Sequence, residues 1–256
     1  MSYINEKHIF LLEEVVRKNF SSKYKDSYLG IAWSVLNPLL MVLTLTAVFA
    51  TILGKGIENY PVYLLSGRCI YGFTMGTIGS SMHVLKSNKS ILKKTAVPKH
   101  IFVIGNIISE FLNFIISFSL LIIVMIITQA PFHFSTMIFA FIPILSASIM
   151  IMGCSLVLSV AAVYYTDIKY LWSVVSQMML YTCAIFYQMD AIPEPYHQYL
   201  ILNPVYWLVD QFRDFMMFGV IPNYLNIFNS FLISFILLIL GIIIFKKYED
   251  RVTLKF

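Results

Sequence analysis

Long apolar stretches separated by short polar segments are the dominant pattern along this chain. A helix that crosses a bilayer needs about 20 predominantly apolar residues, because backbone groups in lipid must be satisfied internally. Stretches of this kind lie at residues 31–54, 61–85, 101–128, 136–165, 170–189 and 223–245. The pattern therefore predicts an all-α integral membrane protein with six transmembrane helices, in a single membrane domain that covers residues 1–256.

Residues 190–222 break this pattern, although they are moderately apolar. Prolines divide the segment into pieces too short to cross a bilayer, namely Pro193, Pro195, Pro204 and Pro222. Short helices are predicted at 200–201 and 205–218. They either enter the membrane and turn back, which we favour, or form an ordinary external loop with an interfacial helix.

Residues 1–28 are predicted to contain an amphipathic helix at the membrane interface. Glu13 and Arg17, like Glu14 and Lys18, are acid-before-base pairs four residues apart, which support an exposed helical face. Apolar residues recur at the helical period on another face: Ile9, Leu12, Val15, Val16 and Phe20. Such a helix either lies with its apolar face in lipid or packs on the protein itself.

Composition and charge restrict the class and the orientation. The chain is 59% hydrophobic and 12% charged, whereas soluble domains carry about 25% charged residues, so a soluble protein is excluded. Of the 18 Lys and Arg residues, all but Lys55, Arg68 and Arg213 fall on one side of the predicted topology. The positive-inside rule places that side, with both termini, in the cytoplasm. The predicted location is the cytoplasmic (inner) membrane.

Residues 86–100 form a cationic loop on the same side. Ser87 or Asn88 can cap a short helix, and Pro98 favours a break before the next span. Ile91 and Leu92 are embedded among lysines. The loop is either an anchor at the lipid headgroups or a docking element for a soluble partner.

Three blocks of sequence carry a family resemblance. They are KYKDSYLGIAWSVLNPLL at 23–40, YPVYLLSG at 60–67 followed by LKSNKSILKKTAVPKHI at 85–101, and YYTDIKYL, FYQMDAIPE and LNPVYWLVDQFRDFMMFG between 164 and 219. In order and spacing they cover nearly the whole chain. The chain resembles the permease subunits of type-2 ABC exporters that move O-antigen, teichoic acid and capsule polysaccharides.

The resemblance implies a homodimer of this chain with two copies of a soluble ABC ATPase. ATP and Mg would be bound by that partner, and this chain would hold no cofactor of its own. The substrate would be a polysaccharide attached to a polyprenyl diphosphate lipid. Residues 190–222 would hold extracytoplasmic gate helices, and 86–100 would couple to the ATPase through Asn88, Ile91, Leu92, Lys93 and Lys94.

Charged residues in or beside the spans are further candidates. Arg68 departs from the family pattern, and it either contacts a phosphate or sugar hydroxyls or snorkels to the outer interface. Glu110, inside the third span, is the other possible substrate contact. Asp210, Arg213 and Asp214 share one face of a short external helix, where Arg213 can pair with Asp210. They form either a surface ion pair or a latch of the outer gate.

Aromatic residues are candidates for a glycan conduit, because their faces stack on the C–H faces of sugars. Those in the second and fifth spans are Tyr71, Phe73, Trp172, Tyr181, Phe186 and Tyr187. Others are predicted to lie in the aromatic belts at the membrane surfaces: Tyr60, Tyr63, Tyr164, Tyr165, Tyr206 and Trp207.

Motifs of catalysis are missing from the sequence. It holds no GxxxxGK[ST] loop, no HExxH and no acidic cluster with metal spacing, so it predicts neither a catalytic nor a metal site. A transport subunit is favoured over a membrane enzyme, with lipids but no nucleic acid as partners. The alternatives are an ABC-2 exporter of a drug or lipid and, less favoured, an ion-coupled transporter, which would show inverted repeats and paired intramembrane carboxylates.

Overall fold

The computed structural model describes residues 2–24, 28–50, 57–95, 97–252 and 255. Lys25, Lys55 and the end of the first predicted span lie outside these residues. The described part is helical and contains no strand. Its α-helices are α1 (Ser2–Tyr24), α2 (Ala32–Phe49), α3 (Tyr60–Tyr71), α4 (Thr77–Ser87), α5 (Lys89–Lys94), α6 (His100–Ile127), α7 (Phe134–Met137), α8 (Phe141–Tyr164), α9 (Ile168–Thr182), α10 (His197–Ile201), α11 (Pro204–Arg213) and α12 (Tyr224–Val252).

Four helical runs in the described part are long and apolar enough to cross a membrane. They are α2, α6, the run from Phe134 to Tyr164, and α12. They coincide with four of the six predicted spans, and the all-α membrane class agrees with this architecture. The count of six spans stays a prediction.

The other two predicted spans are not single long α-helices. A π-helical segment, Gly72–Gly76, joins α3 to α4, so the helical run continues from Tyr60 to Ser87. Helix α9 has 15 residues. At about 1.5 Å per residue it is shorter than the roughly 30 Å hydrocarbon core.

Helix α9 ends where Ala184 adopts a left-handed conformation, with φ of 51°. This conformation is unfavourable for a residue with a Cβ atom and ends the helical hydrogen-bond ladder. The Asn203 side-chain amide donates to the Met179 carbonyl at 3.2 Å and to Thr182 Oγ1 at 2.8 Å. Asn203 thus fixes the end of α9, and residues 183–188, which the sequence predicted to be helical, are irregular.

Small residues allow α8 and α12 to pack closely. A Cβ atom at Gly153 would lie 2.4 Å from the Leu237 carbonyl oxygen, and one at Gly241 would lie 2.4 Å from the Gly153 carbonyl oxygen. One turn or more away, Ser146 and Ser234 share a hydrogen bond of 3.1 Å. The two backbones thus approach each other closely, as small-residue packing permits between membrane helices.

Helix α1 packs on the protein along α6. Val15 is buried, and its side chain faces Gly105, where a Cβ atom would be 2.6 Å from Val15 Cγ1. Ser109 donates to the Val16 carbonyl at 3.1 Å. Ile9, by contrast, is exposed. The amphipathic helix is thus packed on the protein through the Val15 side of its apolar stripe.

The two ends of the bundle carry different elements. At one end, the α5 segment lies beside the end of α12, since Leu92, Lys99 and Glu249 line one cleft there. Tyr164 and Tyr248 also meet at this end, with ring centroids 5.9 Å apart. The opposite end holds α10, α11 and the start of α3.

Candidate functional site

Asn88 joins three elements at the α5 end of the bundle. It is buried in the turn between α4 and α5. Its side-chain amide donates to the Val84 carbonyl at 2.9 Å, and its Oδ1 atom accepts from Lys18 Nζ at 2.9 Å. Asn88, one of the predicted coupling residues, therefore connects α1, α4 and α5 within the chain. Its side chain presents no unpaired polar group to a partner.

The predicted coupling residues on α5 divide into two groups. Leu92 is buried against the rest of this chain, so it anchors the short helix. Lys93 and Lys94 are exposed, and Ile91 is half-buried. The surface that α5 offers outward consists of a half-buried apolar side chain beside two cations.

The opposite end contains a polar cluster built around the backbone carbonyls of residues 184–187, which we call the outer cluster because the sequence predicts it on the extracytoplasmic side. Tyr63 Oη donates to the carbonyls of Ala184 at 3.1 Å and Tyr187 at 2.7 Å. Tyr60 Oη donates to the Phe186 carbonyl at 2.9 Å. Because α9 has ended, these carbonyls need partners from outside the segment, and side chains of α3 supply them.

Arg213 completes the outer cluster, and its geometry corrects the predicted ion pair with Asp210. The Arg213 side chain is 3% exposed. Its guanidinium donates to the carbonyls of Ala184 at 2.8 Å, Ile185 at 3.1 Å and Tyr63 at 3.1 Å. It forms no salt bridge with Asp210, because its side chain is directed inward, toward carbonyls that lack helical partners.

The two carboxylates beside Arg213 remain close enough to influence one another. Burial, with the charge of Asp210, raises the pKa of the Asp214 carboxyl to about 7, and Arg213 opposes this effect. Burial also raises the pKa of the Asp210 carboxyl above its ordinary value, again against Arg213. A proton is therefore retained near this helix at pH values where an exposed carboxyl is ionised.

The predicted conduit aromatics fall into separate places. Tyr181 and Phe186 lie at the end of α9, with ring centroids 6.1 Å apart, and Tyr187 Oη donates to the Tyr181 carbonyl. On the α3 side, Tyr71 is buried and its hydroxyl donates to the Ser176 carbonyl of α9.

The other two predicted conduit aromatics, Trp172 and Phe73, contact different helices. Trp172 lies beside Gly79 of α4, where a Cβ atom would be 2.9 Å from Trp172 Nε1. The Phe73 ring is buried beside the α6 rings of Phe111 and Phe114, with centroids 5.7 Å and 4.8 Å away. Five of the six conduit candidates thus lie on α9, just after it or against it, and Phe73 faces α6.

The two charged residues predicted inside spans face a common cavity. Glu110 accepts two hydrogen bonds from Lys23 Nζ, at 2.8 Å and 3.1 Å. Arg68 is half-buried, with its Cζ atom 5.8 Å from the centroid of the Tyr71 ring. Both Arg68 and Glu110 line the cavity between α2, α3 and α6.

The sequence interpretation had assigned several residues at these sites a different role. Tyr60, Tyr63 and Tyr206 were expected in aromatic belts, but all three are buried. This expectation was wrong because their hydroxyls bond to acceptors inside the protein. Lys18 was expected to pair with Glu14 on the exposed face of the first helix, and Lys23 was counted only toward charge asymmetry. Their partners lie 70 and 87 residues away, and no local pattern indicates such pairs.

Comparison with known proteins gives a consistent picture. The sequence profile of the ABC-2 type transporter family matches residues 11–217. An O-antigen export system permease protein, RfbA, of Klebsiella pneumoniae is 28% identical over 243 residues, covering 94% of this chain and 93% of the relative. RfbA of Myxococcus xanthus is 20% identical over 79% of this chain and 78% of the relative. The polysialic acid transport protein KpsM of Escherichia coli is 19% identical over 93% of each chain.

Proposed function

Because the chain belongs to the ABC-2 type transporter family, we propose that it is the membrane permease subunit of an ATP-driven exporter of a lipid-linked polysaccharide. The observation that carries the proposal is the match with polysaccharide permeases over nearly the full length of both chains. The cargo is a polysaccharide, such as O-antigen or teichoic acid, attached to a polyprenyl diphosphate.

The proposed topology has six spans, with both termini on the cytoplasmic side of the inner membrane. The location of α1, α5 and the end of α12 at one end of the bundle supports it. Lys18 of α1 bonds to Asn88 beside α5, and Glu249 of α12 lines a cleft with Lys99. The cations of these elements then face the cytoplasm, as the positive-inside rule requires.

The proposed assembly is a homodimer of this chain with two soluble ATPase subunits. ATP and Mg are bound by the ATPase, and α5 transmits its movement. The outward surface of Ile91, Lys93 and Lys94 supports this role, because Leu92 and Asn88 fix the same short helix to the membrane domain. Residues 190–222 supply the outer gate.

Co-expression of the chain with its neighbouring ABC ATPase tests the proposal. We expect a stable complex in mild detergent that hydrolyses ATP, and cells that carry the polysaccharide on their surface. Ile91→Asp places a charge on the docking surface, so we expect hydrolysis to continue while export falls at least about tenfold. Lys246→Asp changes the charge at an exposed position of the same end and serves as the control.

Two results would contradict the proposal. A chain that never binds an ATPase would not be an ABC permease. Normal surface polysaccharide in cells lacking this chain would exclude the cargo. If the null cells lack export, normal export after complementation with Ile91→Asp would exclude the coupling role of α5.

A further inference from the structure

A cavity of about 370 Å³ lies between α2, α3 and α6. Its apolar walls come from residues such as Met41 and Phe73. Six polar residues also line it, namely Arg68, Lys23, Glu110, Asn37, Asn113 and Ser117. A cavity of this size that combines apolar walls with polar groups facing the same space is typical of a small-molecule site.

The charges at this cavity do not balance. Lys23 and Glu110 form a salt bridge of 2.8 Å, so their charges compensate each other. Asn113 Nδ2 also donates to the Glu110 carboxylate, at 3.1 Å. Arg68 has no hydrogen bond or salt bridge to any residue that the structure describes. One uncompensated positive charge therefore faces the cavity.

An uncompensated guanidinium inside a membrane protein has a high desolvation cost, and such groups usually mark a substrate or ion path. Arg68 is half-buried and lines the cavity, and its guanidinium has no acceptor among the described residues. Guanidinium donors match phosphate oxygens in a bidentate geometry. An anion at Arg68 would supply the missing acceptors.

We propose that this cavity binds a phosphate group, with Arg68 as its principal donor and the Lys23–Glu110 pair setting the net charge. The phosphate belongs either to the diphosphate of the polyprenyl-linked cargo or to the headgroup of an anionic phospholipid. The first source rests on the proposed function, whereas the site itself does not. Asn37 and Ser117 supply polar contacts for hydroxyl or phosphate oxygens at the cavity wall.

The test uses the complete complex of this chain and its ATPase in phosphatidylcholine nanodiscs. Binding of polyprenyl diphosphate, polyprenol and phosphatidylglycerol is measured by native mass spectrometry at graded lipid fractions. Arg68→Gln should weaken diphosphate binding at least about tenfold, because it removes charge-assisted hydrogen bonds. Arg68→Lys should lose less, and polyprenol binding should not change.

A second variant keeps the test informative if Arg68→Gln does not fold. Glu110→Gln leaves the shape of the cavity unchanged but frees the Lys23 charge, so it should strengthen phosphate binding. Lys169→Gln removes an exposed cation on α9, remote from the cavity, and is the matched control. Its binding should equal that of the wild type.

The outcomes separate the two sources of phosphate. A loss confined to polyprenyl diphosphate assigns the site to the cargo, and an equal loss for phosphatidylglycerol assigns it to a membrane phospholipid. Unchanged binding of both lipids by Arg68→Gln, or an equal loss in Lys169→Gln, overturns the site. Export by the wild type with binding independent of Arg68 would refute this inference alone, whereas a wild type without export would refute the proposed function.

Discussion

The guanidinium of Arg213 lies over the Tyr63 ring, with its Cζ atom 3.5 Å from the ring centroid. The same guanidinium donates to the Tyr63 carbonyl, so α11 is fixed to α3 through both the ring and the backbone of one residue. Gly67 makes this approach possible, because a Cβ atom there would be 2.4 Å from Arg213 Nη2. Cation–π contacts are strongest where the cation is removed from water, as it is here.

Arg213→Gln should destabilise the protein markedly. The variant loses the hydrogen bonds to three carbonyls and the contact with the Tyr63 ring. The carbonyls of the outer cluster then stay buried without the guanidinium donor. Hydrogen bonds to charged groups contribute about 1.5–3 kcal/mol each, so we expect a loss of at least about 3 kcal/mol. Thermal unfolding in detergent measures it. Arg251→Gln, at an exposed position of α12, should leave the melting temperature unchanged, and equal melting of both variants would contradict the structural role of Arg213.

The raised pKa of Asp214 predicts a pH dependence of stability. The carboxyl has an ordinary pKa of 3.8 and a pKa of about 7 in the folded protein. The folded state therefore keeps a proton that the unfolded chain has lost. This contribution to stability is complete below pH 3.8 and disappears as the pH rises through about 7.

Melting temperatures measured between pH 5 and pH 8 test this dependence, and the wild type should melt at lower temperature as the pH rises. Asp214→Asn keeps a neutral side chain at every pH, so it should flatten the curve. Asp167→Asn, exposed before α9, is the control and should follow the wild type. A wild-type curve that rises over this interval would exclude a proton on Asp214.

The helices that sequence could predict are those with an uninterrupted apolar pattern. The stretches that became α6 and α12 exceed 20 residues, so their length alone determines their class. The end of α9 could not be predicted in this way. Residues 183–187 are apolar or aromatic and contain no Gly or Pro, yet Ala184 adopts a positive φ because Tyr63, Arg213 and Asn203 bind the surrounding segment.

The candidate sites, too, could be predicted only in part. The sequence indicated Arg68, Glu110 and Arg213 as charged residues in or beside the spans, and Asn88 as a possible helix cap in the cationic loop. It did not indicate their partners, because tertiary contacts such as Lys23 to Glu110 connect residues that have no local relation. The Arg213 side chain points to carbonyls that are unpaired because α9 ends before them. The sequence did not predict this helix end, so it could not predict where the side chain points.

Close packing of α8 and α12 predicts that Gly153 tolerates no side chain. Gly153→Ala places a methyl group against the Leu237 backbone, which cannot rotate away. We expect a loss of about 1–3 kcal/mol from overpacking. The yield of monodisperse protein and its melting temperature measure this loss. At Gly76 a Cβ atom meets nothing within 4 Å, so Gly76→Ala should be neutral or slightly stabilising, and a similar loss there would exclude the packing explanation.

The contact between Lys18 and Asn88 predicts that α1 takes part in coupling. Asn88→Ala removes both the bond to Lys18 and the bond to the Val84 carbonyl, so the turn before α5 is no longer fixed to α1. We expect the polysaccharide exported per ATP hydrolysed to fall about fivefold, as a lost buried hydrogen bond of about 1 kcal/mol would allow.

Lys18→Met removes only the bond between the Lys18 and Asn88 side chains and keeps the bond from Asn88 to Val84. It therefore separates the effect of the Lys18 contact from that of a disordered turn before α5. If the bond itself transmits movement from α5 to α1, Lys18→Met should reduce export per ATP by itself. Adding it to Asn88→Ala should then cause no further loss, because residues that act through one contact are not additive. Fully additive losses in the double variant would show that Lys18 and Asn88 act independently, and α1 would then be a structural support for α6 only.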